Sequence, residues 1–260
     1  MRKYWAGVGV AVALALTGAT TAAADDYVAL GDSYSSGTGT RTYFDSGCQK
    51  SIYAYPSLVD AQRPNTNLTF AACSGATTAN VLNSQVSSLT SGTDWVTITI
   101  GGNDAGFSSV ITECALPGWL SNCNGAIDAA QAFIGNTLPG RLTNVYNQIK
   151  ARSPNAIAIV LSYPRLFMGV DCNAGTFFSA SEMTRLNQTA DLLRNVTQTR
   201  TLAAGANFRF KDAIPPFTGH AVCSSSEWIN GLSNPIGESY HPNRTGHSSG
   251  YTPLVRSIMG

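Results

Sequence analysis

The chain has 260 residues, only 12% of them charged, and its 16 lysines and arginines nearly balance its 15 aspartates and glutamates. A near-neutral composition argues against nucleic acid as a partner and against membrane binding by charge alone. The part of the chain from residue 25 onward is long enough for one domain with a sizeable core.

The first 24 residues have the pattern of a secretory signal peptide. The basic start Met1-Arg2-Lys3 is followed by an apolar stretch from Ala6 to Leu16 and by small residues up to Ala24. This stretch is too short for a membrane span, and no later segment is apolar enough to cross a bilayer. We therefore expect cleavage near Ala24 and a secreted, extracellular protein whose residues 25–260 form a single domain.

Short apolar runs alternate with helical patterns along the rest of the chain. The runs predict strands at residues 27–30, 68–71, 95–100, 157–161 and 208–210, and the helical patterns lie at 78–89, 142–152, 179–204 and 245–258. The 179–204 helix begins with a capping box, in which Glu182 follows Ser179 by three residues, and it ends near Gly205. This alternation predicts a doubly wound parallel sheet with its ligand crevice at the carboxyl ends of the strands.

Three of the predicted strands are followed by residues suited to an active site. Gly31-Asp32-Ser33 follows the first, where a serine can be exposed on a tight turn as a nucleophile must be. An ordinary turn uses the same residues. Gly75 follows the second strand and could offer a bare backbone N–H. Gly101-Gly102-Asn103-Asp104 follows the third, and the Asn103 amide can donate to an oxyanion, although a plain turn is again the alternative.

Two long, partly apolar loops, residues 38–55 and 107–124, leave strand ends on the Ser33 side. Either they line an apolar substrate cleft or they cover the core.

A serine nucleophile needs a proton acceptor, most often histidine, and the chain has three: His220, His241 and His247. His241 precedes Pro242, which is suited to the first position of the final helix. His247 would lie inside that helix, and His220 lies near Cys223. We therefore predict that His241 is the base.

The six cysteines predict three disulfides in an exported chain. Sequence alone does not fix their pairing, but local order favours Cys48–Cys73, Cys114–Cys123 and Cys172–Cys223. No Cys-x-x-Cys pair occurs and histidines are few, so we expect no metal site.

Taken in order, Gly31-Asp32-Ser33, Gly75, Gly101-Gly102-Asn103-Asp104 and His241-Pro242 resemble the four blocks of the SGNH (GDSL-type) hydrolases. The signal peptide and the cysteine pattern narrow the resemblance to secreted lipases and phospholipases A1 of the Streptomyces type. It implies a flavodoxin-like, three-layer α/β/α sandwich around a mostly five-stranded parallel sheet. It also implies that Ser33 is the nucleophile, that His241 is general base and then general acid, and that the Ser33 amide, the Gly75 amide and the Asn103 side chain form the oxyanion hole.

Two positions depart from the family pattern. Tyr34 replaces leucine, at a position where we expect no chemical role. Glu238 stands three residues before His241, where the family usually has aspartate, and glutamate is one methylene longer. Some members of the subfamily resemble Ser–His dyads in which a backbone carbonyl holds the ring, here that of Ser239. We favour the Ser239 carbonyl over Glu238 as the group that orients His241.

Together these features predict a serine ester hydrolase that forms an acyl-enzyme and needs no cofactor. Lipid esters are the expected substrates, met at a micelle or membrane surface, because the loops near Ser33 are rich in apolar and aromatic residues. The alternatives are a short-chain or carbohydrate O-acetyl esterase and a non-catalytic lipid- or glycan-binding module. A binding module would not need Ser33, Asn103 and His241 together. We expect a monomer with no stable protein partner.

Overall fold

The computed structural model describes residues 1–7 and 23–260. Most of the predicted signal peptide, including all but the first two residues of its apolar stretch, lies outside the described residues. Among the helices that are described, none is long and apolar enough to cross a bilayer.

The centre of the molecule is a parallel sheet of five strands in the order β2-β1-β3-β4-β5. The strands are β1 (Asp25–Gly31), β2 (Thr66–Phe70), β3 (Trp95–Thr99), β4 (Ile157–Leu161) and β5 (Phe208–Lys211). All five lie where the sequence predicts them. The predicted five-stranded parallel sheet is therefore confirmed.

Helices cover both faces of the sheet. In β1, Tyr27 and Ala29 pack into one apolar layer while Val28 and Leu30 pack into the other, because successive side chains of a strand point to opposite faces. The helices are α1 (Ser33–Ser36), α2 (Tyr55–Ala61), α3 (Thr78–Asn83), α4 (Phe107–Cys114), α5 (Cys123–Asn136), α6 (Leu138–Arg152), α7 (Ala180–Ala204), α8 (Ile214–Phe217) and α9 (Thr252–Met259).

The prediction of a loop at residues 107–124 is wrong over most of that range, because α4 occupies the first part and α5 begins at the end. Neither helix has a side-chain cap that would mark its start. Gly106, which precedes α4, has a φ of +75° and so lies in the left-handed region. The helix therefore starts from a backbone turn and not from a capping side chain.

The predicted helix at 245–258 is also more complex than expected. A wide π-helical turn, Gly246–Tyr251, precedes α9. A Cβ at Gly250 would lie only 2.3 Å from the Phe217 ring, so this turn passes the ring at a distance that only glycine allows. Pro242 is not the first helical residue, since it forms a short antiparallel bridge with Ile229.

Three disulfides join the favoured pairs Cys48–Cys73, Cys114–Cys123 and Cys172–Cys223. The first ties the loop after α1 to the segment that leaves β2. The second closes the connection between α4 and α5. The third joins the segment before α7 to the segment after α8. Each disulfide therefore fixes a connection that leaves the sheet at the carboxyl ends of the strands.

Candidate active site

Ser33 lies immediately beyond the carboxyl end of β1. The chain turns sharply at Gly31, where φ is +125° and a Cβ would come within 2.5 Å of both Ser35 Oγ and Thr99 O. Only glycine fits so close an approach. The Asp32 amide then donates to Thr99 O at 3.1 Å, which fixes the turn against β3.

Asp32 also sets the start of α1, because its Oδ1 accepts from the Tyr34 amide at 3.0 Å. This helix has a single turn and ends at Gly37, whose φ is +105°. Ser33 is thus the first residue of a short helix that is anchored at both ends, and its position follows from the backbone around it.

The Ser33 hydroxyl donates to Nε2 of His241 across 2.8 Å, and Nδ1 of His241 donates to the Ser239 carbonyl across 2.9 Å. This assignment follows from chemistry, since a carbonyl oxygen can only accept and so the Nδ1 atom must carry the proton. Ser33 is 6% exposed and His241 9% exposed. The structure therefore brings together the serine, the histidine and the carbonyl that the sequence singles out.

Burial lowers the pKa of His241 to about 4, and the hydrogen bond to Ser239 opposes this only in part. The imidazole is consequently neutral at neutral pH, and its Nε2 lone pair is free to accept the Ser33 proton.

The Glu238 carboxylate makes no hydrogen bond to His241. Its Oε1 accepts from the Tyr43 hydroxyl at 2.6 Å, and its Oε2 lies 3.5 Å from Nε of Arg41. Burial and the contact with Glu238 raise the pKa of Tyr43 to about 12, so Tyr43 remains a donor. Of the two groups considered for orienting His241, the structure places the Ser239 carbonyl against the ring and turns Glu238 away.

Asn103 and Gly75 lie on adjoining turns. The Asn103 side-chain amide donates to the Ala76 carbonyl at 3.0 Å, and an amide NH₂ keeps a second proton for another acceptor. Gly75 has a φ of +79° and is exposed, with open space around the position of a Cβ. Asp104 fixes the same region, since its carboxylate accepts from the Thr78 amide at 2.8 Å and from Arg141 at 3.0 Å.

Tyr163 is a site residue that the sequence analysis missed. Its hydroxyl donates to Oδ2 of Asp32 and accepts from the Gly102 amide at 3.0 Å. It therefore links the turn that carries Ser33 to the turn that carries Asn103. The sequence feature that could have indicated its role is its position just beyond the end of β4, at the same edge of the sheet as Ser33.

Burial raises the pKa of Asp32 to about 7, while its hydrogen bonds from Tyr163 and Tyr34 lower it. The Tyr163 hydroxyl is thus a main partner of a carboxylate that has lost nearly all contact with water.

Tyr34 has a larger part in the site than the sequence analysis expected. Its hydroxyl donates to the Tyr240 carbonyl at 2.7 Å, and its ring centre lies 5.4 Å from that of His241. Phe107 approaches His241 with its ring centre 6.4 Å away. These rings help to hold the imidazole and to exclude water from it.

A cleft of about 450 Å³ opens beside His241. Apolar side chains form much of its wall, among them Phe107, Ile111, Leu116, Leu232 and Ile236. A smaller apolar cavity of about 70 Å³ lies beyond Phe107 and Tyr34. Of the predicted loop 107–124, the part that reaches the cleft is α4 and the residues directly after it.

Comparison with known proteins settles the family. The sequence profile of the GDSL-like Lipase/Acylhydrolase family matches residues 29–248. The chain belongs to this family. Lipase 1 of Streptomyces coelicolor is 44% identical over 256 residues, which cover 95% of this chain and 93% of that lipase. The predicted class, a serine ester hydrolase, is thereby confirmed.

Two solved structures share the fold over nearly their whole length. The extracellular lipase of Streptomyces rimosus has a TM-score of 0.84 and 44% identity, covering 90% of this chain and 99% of that one. Phospholipase A1 of Streptomyces albidoflavus NA297 also has a TM-score of 0.84, with 43% identity and the same coverage. The three-layer fold predicted from the resemblance is therefore confirmed.

Proposed function

We propose that this protein is a secreted hydrolase of lipid esters in which Ser33 is the nucleophile and His241 the general base. The observation that carries the proposal is the chain of two hydrogen bonds from the Ser33 hydroxyl through the His241 ring to the Ser239 carbonyl. Residues 25–260 act as one hydrolase domain, and a single chain holds all the groups that the reaction needs.

The reaction begins when Ser33 Oγ attacks the ester carbonyl carbon and gives its proton to Nε2 of His241. The resulting imidazolium keeps its Nδ1 hydrogen bond to Ser239 and then protonates the departing alcohol. Water, deprotonated by His241, attacks the acyl carbon of the acyl-enzyme. As the bond between Ser33 Oγ and that carbon breaks, the imidazolium returns its proton to Ser33 Oγ and the acid is released. His241 thus moves one proton in each direction in both halves of the cycle.

The negative oxygen of each tetrahedral intermediate needs preorganised donors. The free proton of the Asn103 amide, the Gly75 N–H and the Ser33 N–H supply them. The Asn103 amide is hydrogen-bonded to the Ala76 carbonyl, and the Asp104 carboxylate accepts from the Thr78 amide. These hydrogen bonds hold the donors in place before substrate binds.

Lipid esters are the proposed substrates because the cleft beside His241 has an apolar wall that suits an acyl chain. The names of the relatives, lipase and phospholipase A1, agree with this choice. Secretion is proposed from the signal-peptide pattern and from the extracellular lipase among the relatives.

A chain-length series of soluble esters, assayed beside phosphatidylcholine, tests the proposal through kcat/KM. We expect long-chain esters to be preferred and Ser33→Ala to abolish hydrolysis. Ser87→Ala, which alters an exposed serine on a surface turn, is the control and should behave as the wild type. A best rate on acetyl esters with none on long chains would favour the O-acetyl esterase alternative, and hydrolysis that survives Ser33→Ala would contradict the mechanism.

A further inference from the structure

Three segments around the mouth of the cleft, residues 115–122, 173–178 and 231–237, carry exposed apolar side chains. Trp119 is 83% exposed and Ile236 is 76% exposed, which is unusual for side chains of this size. We call the exposed apolar residues of these segments the apolar rim: Leu116, Trp119, Leu120, Phe177, Leu232 and Ile236.

The apolar rim is continuous with the cleft. Leu116, Leu232 and Ile236 line the cleft together with His241. The Leu232 amide donates to Oδ1 of Asn173 at 3.3 Å, so the second and third segments touch. Trp119 and Leu120 belong to the connection that the Cys114–Cys123 disulfide closes, directly after Leu116.

The three segments contain no charged residue at all. Glu238, the first charge after the third segment, is buried and bonded to Tyr43. Glu113, just before the first segment, accepts from the Asn122 amide. Asp171, just before the second segment, accepts from the Thr176 hydroxyl and the Phe178 amide. The exposed Arg41 is paired with Glu238, so the cleft opens between apolar segments that carry no charge of their own.

We propose that the apolar rim docks the enzyme onto an electrically neutral lipid surface, such as one of zwitterionic phosphatidylcholine, with the cleft facing the lipid. This inference rests on the proposed function, because an enzyme that hydrolyses lipid esters encounters them at such surfaces. Tryptophan and aliphatic side chains are stabilised when they insert at the boundary between headgroups and acyl chains. The rim itself supplies no lysine or arginine that would favour anionic lipid over neutral lipid.

Vesicles of ether-linked phosphatidylcholine, which contain no ester to cleave, test the docking through co-flotation. We expect the wild type to bind these vesicles equally well at low and high salt, and equally well when anionic lipid is added. Trp119→Ala and Ile236→Ala should each weaken binding about tenfold, the effect of losing the burial of one large apolar side chain. Thermal unfolding of each variant checks that it is folded.

Leu202→Ala is the matched control. Leu202 is 65% exposed, but it lies near the end of α7, at the opposite edge of the sheet from the cleft. This variant should bind vesicles as the wild type does. Soluble-ester hydrolysis, which Ser33→Ala should abolish, reports separately on the proposed function, because vesicle binding requires no catalysis.

Unchanged binding by Trp119→Ala, an equal loss in Leu202→Ala, or binding that requires anionic lipid would each overturn the proposal. So would sedimentation showing that the wild type dimerises and that Trp119→Ala is monomeric, with neither protein binding vesicles. The rim would then contact a second copy of the chain and not a lipid surface.

Discussion

The Nδ1 atom of His241 donates to a backbone carbonyl, and the nearby carboxylate of Glu238 bonds to Tyr43 instead. A carbonyl fixes the tautomer and the orientation of the ring, but it lacks the full negative charge that stabilises an imidazolium in a triad. At the scale of single residues, this difference separates the roles of Ser239 and Glu238.

Glu238→Gln should lower kcat by less than about tenfold, because the amide can still accept from Tyr43, whereas loss of a triad acid costs about 10⁴-fold. The measurement is kcat on a soluble ester. His241→Ala, which removes the base, provides the comparison and should be nearly inactive. A loss of about a thousandfold or more in Glu238→Gln would show that its carboxylate supports the histidine directly.

The acid limit of activity should lie well below that of an ordinary histidine. Burial lowers the pKa of His241 to about 4, so the neutral ring that accepts the Ser33 proton persists until the pH falls to that value. We expect kcat/KM on a neutral ester to decline on the acid side with an apparent pKa near 4, measured on enzyme that refolds fully after each exposure. A decline centred on the usual histidine pKa, about 6.5, would show that His241 is more hydrated than the structure has it.

Tyr163→Phe should lower kcat about tenfold with little change in KM, because the Gly102 amide loses its acceptor and the Asn103 turn is less well fixed. Loss of a donor to Asp32 should also raise the pKa of that carboxyl group above about 7. Tyr146→Phe, which removes a buried tyrosine hydroxyl from α6, is the control and should leave kcat and the pKa of Asp32 unchanged. Equal effects in the two variants would assign Tyr163 a packing role only.

At the scale of elements, the clearest local signal in the sequence is the capping box of α7. The Ser179 amide donates to Oε2 of Glu182 at 2.8 Å, and the Glu182 amide donates to Oγ of Ser179 at 3.3 Å. Both ends of this helix, at Ser179 and Gly205, were predictable because each is set by residues adjacent in sequence.

Ser179→Ala should reduce the free energy of unfolding by about 1 kcal/mol, the usual cost of losing a cap of this kind. Urea unfolding measures it. Thr199→Ala, on the exposed side of the same helix, removes a hydroxyl that bonds only to the carbonyl of Asn195, and it should change stability by less than about 0.5 kcal/mol. Equal losses in both variants would contradict the role of the capping box.

Other elements could not be predicted, for reasons that the structure makes plain. Helix α4 starts at Gly106 without a capping side chain, so its sequence carries no start signal. The π-helical turn before α9 depends on Phe217, a residue of a separate helix that packs against Gly250. In both cases the deciding factor is a backbone turn or a tertiary contact, which a local pattern does not contain.

At the scale of the whole molecule, the site depends on the parallel sheet. Ser33 and His241 are 208 residues apart, yet they meet at the edge where the strands end. Because all five strands are parallel, the segments after β1, β2 and β3 necessarily leave at that same edge, which is why Ser33, Gly75 and Asn103 could be grouped from sequence. The link through Tyr163 and the direction of the Glu238 side chain could not be predicted from the sequence, because both depend on how side chains pack once the fold has formed.

The most direct test of the account is covalent labelling with a p-nitrophenyl alkylphosphonate, which reacts with an activated serine and stops at the covalent stage. Peptide mass spectrometry locates the adduct. We expect one adduct, on Ser33, formed as activity is lost. Glu238→Gln should be labelled nearly as fast as the wild type, and His241→Ala should hardly be labelled. An adduct on another residue, or rapid labelling of His241→Ala, would contradict the claim that Ser33 and His241, held by the Ser239 carbonyl, carry the reaction.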